Sequence, residues 1–106
     1  MWENQISIPE VNLVGVFSCL ASPVQAEGTI DEHPFYFRSR HDAWTFAVAS
    51  DEKGDPVEIY SSSQGFFREA NYGDDQFSAS YMPLNDAREI IARCAKEFVE
   101  ERDKGI

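Results

Sequence analysis

The feature that most constrains this chain is an alternation of large apolar and polar side chains that three consecutive segments share, at Gln25 to Asp31, Pro34 to Arg40 and Ala43 to Ser50. With His41 and Asp42 as a two-residue hairpin loop, Arg40 falls opposite Ala43. Arg38 then meets Thr45, Phe37 meets Phe46 and Phe35 meets Val48. Strand side chains point alternately to opposite faces, so this pairing sends Phe35, Phe37, Trp44, Phe46 and Val48 one way and Tyr36, Arg38, Arg40, Thr45 and Ala47 the other. A slip of one residue would destroy the sorting. With Glu32 and His33 as the preceding loop, Ile30 lies against Phe35, Gly28 against Phe37 and Glu27 against Arg38, and the same face stays apolar. Neither loop has the Asn-Gly type that tight hairpins favour, although Asp and His tolerate left-handed backbone better than most residues.

The 106 residues suit one domain that buries roughly 65% of its unfolded surface, enough for a core without a disulfide or metal staple. Eight Phe, four Tyr and two Trp supply that core. No apolar run approaches the roughly 18 to 20 residues of a membrane helix, and the chain opens Met1-Trp2-Glu3-Asn4 without a basic start. The expectation is a cytoplasmic protein. Cys19 and Cys94 lack zinc-ligand spacing and sit in apolar stretches, so they read as reduced core thiols.

Before the meander, Ser7-Ile8-Pro9-Glu10 fits a helix capping box, and Leu13, Val14, Phe17, Leu20 and Ala21 recur at helical spacing. A first helix from about Ile8 to Ala21 is expected. Val11, Val14 and Val16 are β-branched and Gly15 costs a helix about 1 kcal/mol, which argues for a strand instead. After the meander, Asp51 to Pro56 reads as an acidic loop, Val57 to Ser61 as a short fourth strand, Ser61 to Asp75 as a long loop, and Gln76 to Met82 as a fifth strand. Asn85 is placed to cap a last helix, in which Ala87, Ile90, Ile91, Cys94, Ala95 and Phe98 form one apolar stripe. That stripe should cover the aromatic sheet face. The expected fold is an α+β two-layer sandwich with an antiparallel sheet of about five strands and helices at both ends.

The formal net charge is −10, and it is unevenly spread. Asn85 to Ile106 holds six acids and five bases, with pairs such as Glu89/Arg93 and Lys96/Glu100 four residues apart on a helix surface. Residues 1 to 84 hold thirteen acids against four bases. Two loops concentrate the excess, one with Asp51, Glu52, Asp55 and Glu58, the other with Glu69, Asp74 and Asp75. Aromatic residues interleave with the second set, at Phe66, Phe67 and Tyr72. Interface centres favour aromatic anchors, and surrounding charge steers encounter. A field of this sign repels nucleic acid and attracts basic protein surfaces.

Motifs for chemistry are missing. The chain has no Gly-rich phosphate loop, no nucleophile elbow and no paired-histidine zinc spacing. His33 and His41 stand at opposite ends of one strand, roughly 20 Å or more apart at about 3.3 Å per residue, too far to share a metal. No enzyme activity and no cofactor is expected. The outward Tyr36, Arg38 and Arg40 could grip a small anion, but cross-strand pairing of Arg38 with Glu27 accounts for Arg38 more simply.

In size, acidity, α+β character and lack of catalytic motifs the chain resembles phage-encoded anti-CRISPR inhibitors, and equally immunity proteins that neutralise basic nuclease toxins. The resemblance is one of composition and carries no motif. It implies a binding protein that docks on a nuclease or CRISPR effector subunit as a partial nucleic-acid mimic. On that expectation Asp51, Glu52, Asp55, Glu58, Glu69, Asp74 and Asp75 supply the field, and Phe66, Phe67 and Tyr72 the anchors.

Overall fold

The structure, a computed structural model, describes residues 4–20, 24–40, 43–51, 53–59, 65–72 and 82–104. Among these residues six strands form one antiparallel sheet in chain order: β1 (Gln5–Ile8), β2 (Leu13–Leu20), β3 (Val24–Ile30), β4 (His33–Arg40), β5 (Ala43–Val48) and β6 (Phe66–Asn71). A single long helix, α1 (Leu84–Lys104), lies on one face. The architecture is α+β, with every strand hydrogen-bonded to its neighbour in sequence.

The β4–β5 register is the one the alternation dictates, from Arg40 opposite Ala43 to Phe35 opposite Val48. Phe35, Phe37, Phe46 and Val48 are at most 1% exposed, and Trp44 is buried beside them. Each buried Phe adds up to about 3 kcal/mol relative to an exposed one. The rings also stack in pairs, Phe35 with Phe46 at 5.7 Å and Phe37 with Trp44 at 6.3 Å between centroids. The stripe of α1 meets this face as expected, with Ala87, Ile90, Ile91, Cys94, Ala95 and Phe98 all buried against it. The helix begins one residue early, at Leu84, so Asn85 lies in its first turn and not at its cap.

The expected N-terminal helix is not formed. Pro9 does open a helical turn, but Pro9–Val11 is a single 3-10 turn, and Asn12 then takes a left-handed conformation (φ 51°) that folds the chain back as a hairpin. Ser7 is therefore a strand residue, and β1 pairs with β2 from Gln5/Val16 to Ile8/Leu13. Leu13 and Phe17 face the core while Val14 and Val16 face away from it, the period-2 pattern of a strand. A bulge between Phe17 and Cys19 shifts the β2–β3 register near its end.

The β3–β4 turn also differs from expectation. Its loop is Asp31-Glu32, so Ile30 pairs with His33, Gly28 with Phe35, Glu27 with Tyr36 and Gln25 with Arg38. The shift is by two positions, so the apolar face keeps its residues and only the outward pairs change. Glu27 is opposite Tyr36, not Arg38. Both turn residues have positive φ, 50° at Asp31 and 71° at Glu32, as a turn matching the right-handed strand twist requires.

Three further expectations change or fall elsewhere. Pro56–Glu58 is a 3-10 turn where a fourth strand was expected, because Pro56 follows Asp55, whose side chain accepts the Val57 amide at 3.0 Å and caps it. The segment expected as a long loop contains β6, with residues 61–64 and 73–75 outside the described residues. Of the expected strand Gln76 to Met82, only Met82 is described, and it is buried in the core.

Candidate functional site

The helix covers one face of the sheet, so alternation alone decides what the other face presents. Pointing away from α1 are Val14 and Val16 of β2, Glu27 and Thr29 of β3, Pro34, Tyr36 and Arg38 of β4, and Phe67 and Glu69 of β6. The segment 53–59 crosses this face. It is tied down by Ile59, which packs with Ala47, Ala49 and Phe67 in a small second core.

Between that segment and β2 lies an open groove of about 540 Å³. Val14 and Val16 border it on one side and Asp55, Pro56 and Val57 on the other, with Glu27, Thr29, Pro34 and Tyr36 between them. Val14, Val16 and Val57 are 55%, 40% and 51% exposed, and they are the large apolar side chains left exposed among the described residues. All three border one groove. Burial raises the Tyr36 phenol above its usual value, with Glu27 adding to the rise and Arg38 opposing it.

The expected site residues are dispersed. Asp55 and Glu58 are exposed on the crossing segment, and Glu69 is exposed on β6 facing the same way. Asp51 lies apart, at the end of the sheet with Asp31, Glu32, His33 and Ser50, where its carboxylate accepts the Lys53 amide at 2.9 Å. His33 heads β4, with Nδ1 3.1 Å from the Ala49 carbonyl oxygen and its ring edge-on to Phe98 at 5.4 Å. Glu52, Asp74, Asp75 and His41 lie outside the described residues.

The three expected anchors are engaged within the fold. Phe66 turns toward α1 and meets Phe46 and Phe98 edge-on at 6.2 and 5.4 Å. Phe67 turns the opposite way into the small second core. Tyr72 is half-buried against the main core, and its hydroxyl donates to Asp86 Oδ2 at 2.5 Å, which raises the phenol above its usual value. These contacts hold β6 and the residue after it to the fold, with Phe66 and Phe67 on opposite faces of the sheet. Arg68 completes the fastening, lying 4.2 Å above the Phe66 ring and ion-pairing with Glu97 and Glu101 of α1.

Arg38 is half-buried on the outward face, and its Nε is buried without a hydrogen-bond partner. The Arg40 side chain lies outside the described part of the structure. Neither described cysteine forms a disulfide. Burial, with Glu97 adding to it, pushes the Cys94 thiol up to about 12, which keeps it protonated and unreactive at neutral pH. Among the described residues no cluster of three or more His, Cys, Asp or Glu could hold a metal ion. No described helix is long and apolar enough to cross a membrane.

The sequence alone does not show the groove, because helical spacing competes with strand propensity at Val14 and Val16 and Val57 reads as the start of a strand. The run of β-branched residues around Gly15 was the signal that could have found it. Comparison with protein-family models, curated proteins and solved structures finds no match for this chain.

Proposed function

We propose that this chain is a non-enzymatic acidic binding protein that docks on a basic surface of a nucleic-acid-binding protein and inhibits or regulates it. The observation that carries the reading is the gathering of Glu27, Asp55, Glu58 and Glu69 on the helix-free side of the sheet. On the opposite side, charge is balanced along α1 and drawn into internal pairs, Arg68 with Glu97 and Glu101 and Arg102 with Asp31. Among the described residues the side away from α1 therefore carries an excess of negative charge, four carboxylates against Arg38 and the Lys53 of the crossing segment. Such a field raises the rate of encounter with a basic partner by about 10- to 10³-fold at low salt.

Duplex nucleic acid carries about one charge per 1.7 Å of axis, so a handful of carboxylates replaces only a short run of phosphates. A partial mimic of this kind suits a CRISPR effector subunit, the anti-CRISPR-type reading, and equally a nuclease toxin, the immunity-protein reading. Capture from host lysate at low salt followed by a salt step tests the proposal, with an Asp55→Lys, Glu69→Lys variant and an Asp74→Lys, Asp75→Lys variant alongside. A basic nucleic-acid-binding protein that elutes with salt and is lost in a charge-reversed variant supports it. Binding indifferent to salt and to both reversals removes its basis and moves attention to an anion site at Tyr36 and Arg38.

A further inference from the structure

We propose that the groove between β2 and the Asp55-Pro56-Val57 turn seats an aliphatic or aromatic side chain of a partner protein segment, with lysines or arginines flanking it that pair with Glu27 and Asp55. The proposal rests on the acidic-docking reading and assigns its anchor point. Three valines between 40% and 55% exposed around one concavity leave apolar surface in water that a partner would cover. Scattered exposed apolar residues need no explanation, but these three converge.

Charge selects the occupant. Among the described residues, the titratable side chains bordering the groove are Glu27, Asp55 and the Tyr36 phenol, and no described Lys or Arg side chain borders it. An apolar floor between two carboxylates is complementary to an apolar residue between two cations. A second copy of the chain would bring the same carboxylates and the same net charge of −10 to the contact, so self-association is disfavoured there. The groove is open along the sheet, whereas small-molecule sites enclose most of their ligand, and this favours a chain segment. Its walls are preformed: Asp55 caps the turn, Pro56 stiffens it and buried Ile59 holds it to the sheet. Preorganised walls reduce the ordering cost of binding.

A random dodecapeptide display library selected on the immobilised full chain tests this. Two variants serve as comparators, Val14→Ser/Val16→Ser/Val57→Ser and Glu27→Gln/Asp55→Asn, both confined to exposed side chains, with Asn retaining the capping oxygen. Enriched peptides are expected to place an aliphatic or aromatic residue between Lys or Arg residues, and to bind the valine variant at least tenfold more weakly and the charge variant several-fold more weakly. Chemical shifts of the Val14, Val16 and Val57 methyls should move on binding. Basic peptides that bind the valine variant at full strength but lose affinity in the charge variant or in high salt would overturn the groove while leaving acidic docking in place. Enriched peptides without Lys or Arg, or no enrichment, would overturn both.

Discussion

Gly15 and Gly28 are partners in the β2–β3 ladder, and a methyl group placed on Gly28 would stand 2.5 Å from the Gly15 Cα and 2.1 Å from the Val14 carbonyl oxygen. One on Gly15 would stand 2.6 Å from the Glu27 carbonyl oxygen and 3.0 Å from the Phe35 ring. The Phe35 ring stands where a side chain at Gly15 would go, while backbone of β2 closes the space at Gly28.

Gly28→Ala is therefore expected to destabilise the fold by about 1–3 kcal/mol, the range for forcing a methyl into a packed site. The atoms it meets are backbone, which cannot rotate away. Urea unfolding of the variant checks this; a loss near zero would mean that the two strands separate at no cost.

The Asp31-Glu32 turn holds a non-glycine residue at φ 71°, where a side chain meets its own backbone. Glu32→Gly relieves that and creates an Asp-Gly pair, a favoured composition for this turn, at some cost in unfolded-chain entropy. A net gain of about 0.5–1 kcal/mol is expected in thermal or urea unfolding.

Arg68 joins β6 to α1 in two ways that salt separates. Its contact over the Phe66 ring is short-range and partly dry, while Glu97 and Glu101 are 41% and 57% exposed. Arg68→Ala should cost about 1–2 kcal/mol, combining the ring contact with the ion pairs. Glu97→Gln with Glu101→Gln should cost less than about 1 kcal/mol and nothing in 1 M salt. Unfolding curves at low and high salt distinguish the two contributions.

The Asn12 amide and the Arg102 guanidinium hold the Asp31 carboxyl below its ordinary value of 3.8, at 3.3 and 2.7 Å respectively. A carboxyl whose folded value is depressed adds stability that is fully present above the unfolded value and is lost as pH falls through the folded one. An NMR titration should place Asp31 below 3.8, and Asn12→Ala or Arg102→Gln should each move it upward. Acid unfolding should begin at higher pH in both variants.

Two elements were written locally. The β4–β5 register follows from alternation on both sides of a two-residue loop, because any odd slip would turn Phe35, Phe37 and Phe46 to the wrong face. The stripe of α1 follows from a 3.6-residue period sustained from Ala87 to Phe98, about three turns. The β3–β4 turn was legible only in parity, since a two-residue shift keeps the same faces and its choice depends on Asn12 and Arg102 reaching Asp31 from elsewhere.

The N-terminal hairpin and the groove were decided by tertiary structure. In Leu13-Val14-Gly15-Val16-Phe17 the central inward position has no side chain, which breaks the strand alternation and lets helical spacing compete. The missing volume is supplied by Phe35 from β4, two strands away, which no window along β2 contains. With Phe35 over Gly15, Val14 and Val16 turn to the face away from α1. Composition determined that the chain is acidic and rich in core aromatics. Which carboxylates share a face with exposed valines was decided by tertiary contacts, because strand pairing places Glu27 beside Val16 and the packing of Ile59 brings Asp55, 28 positions further on, to the same groove.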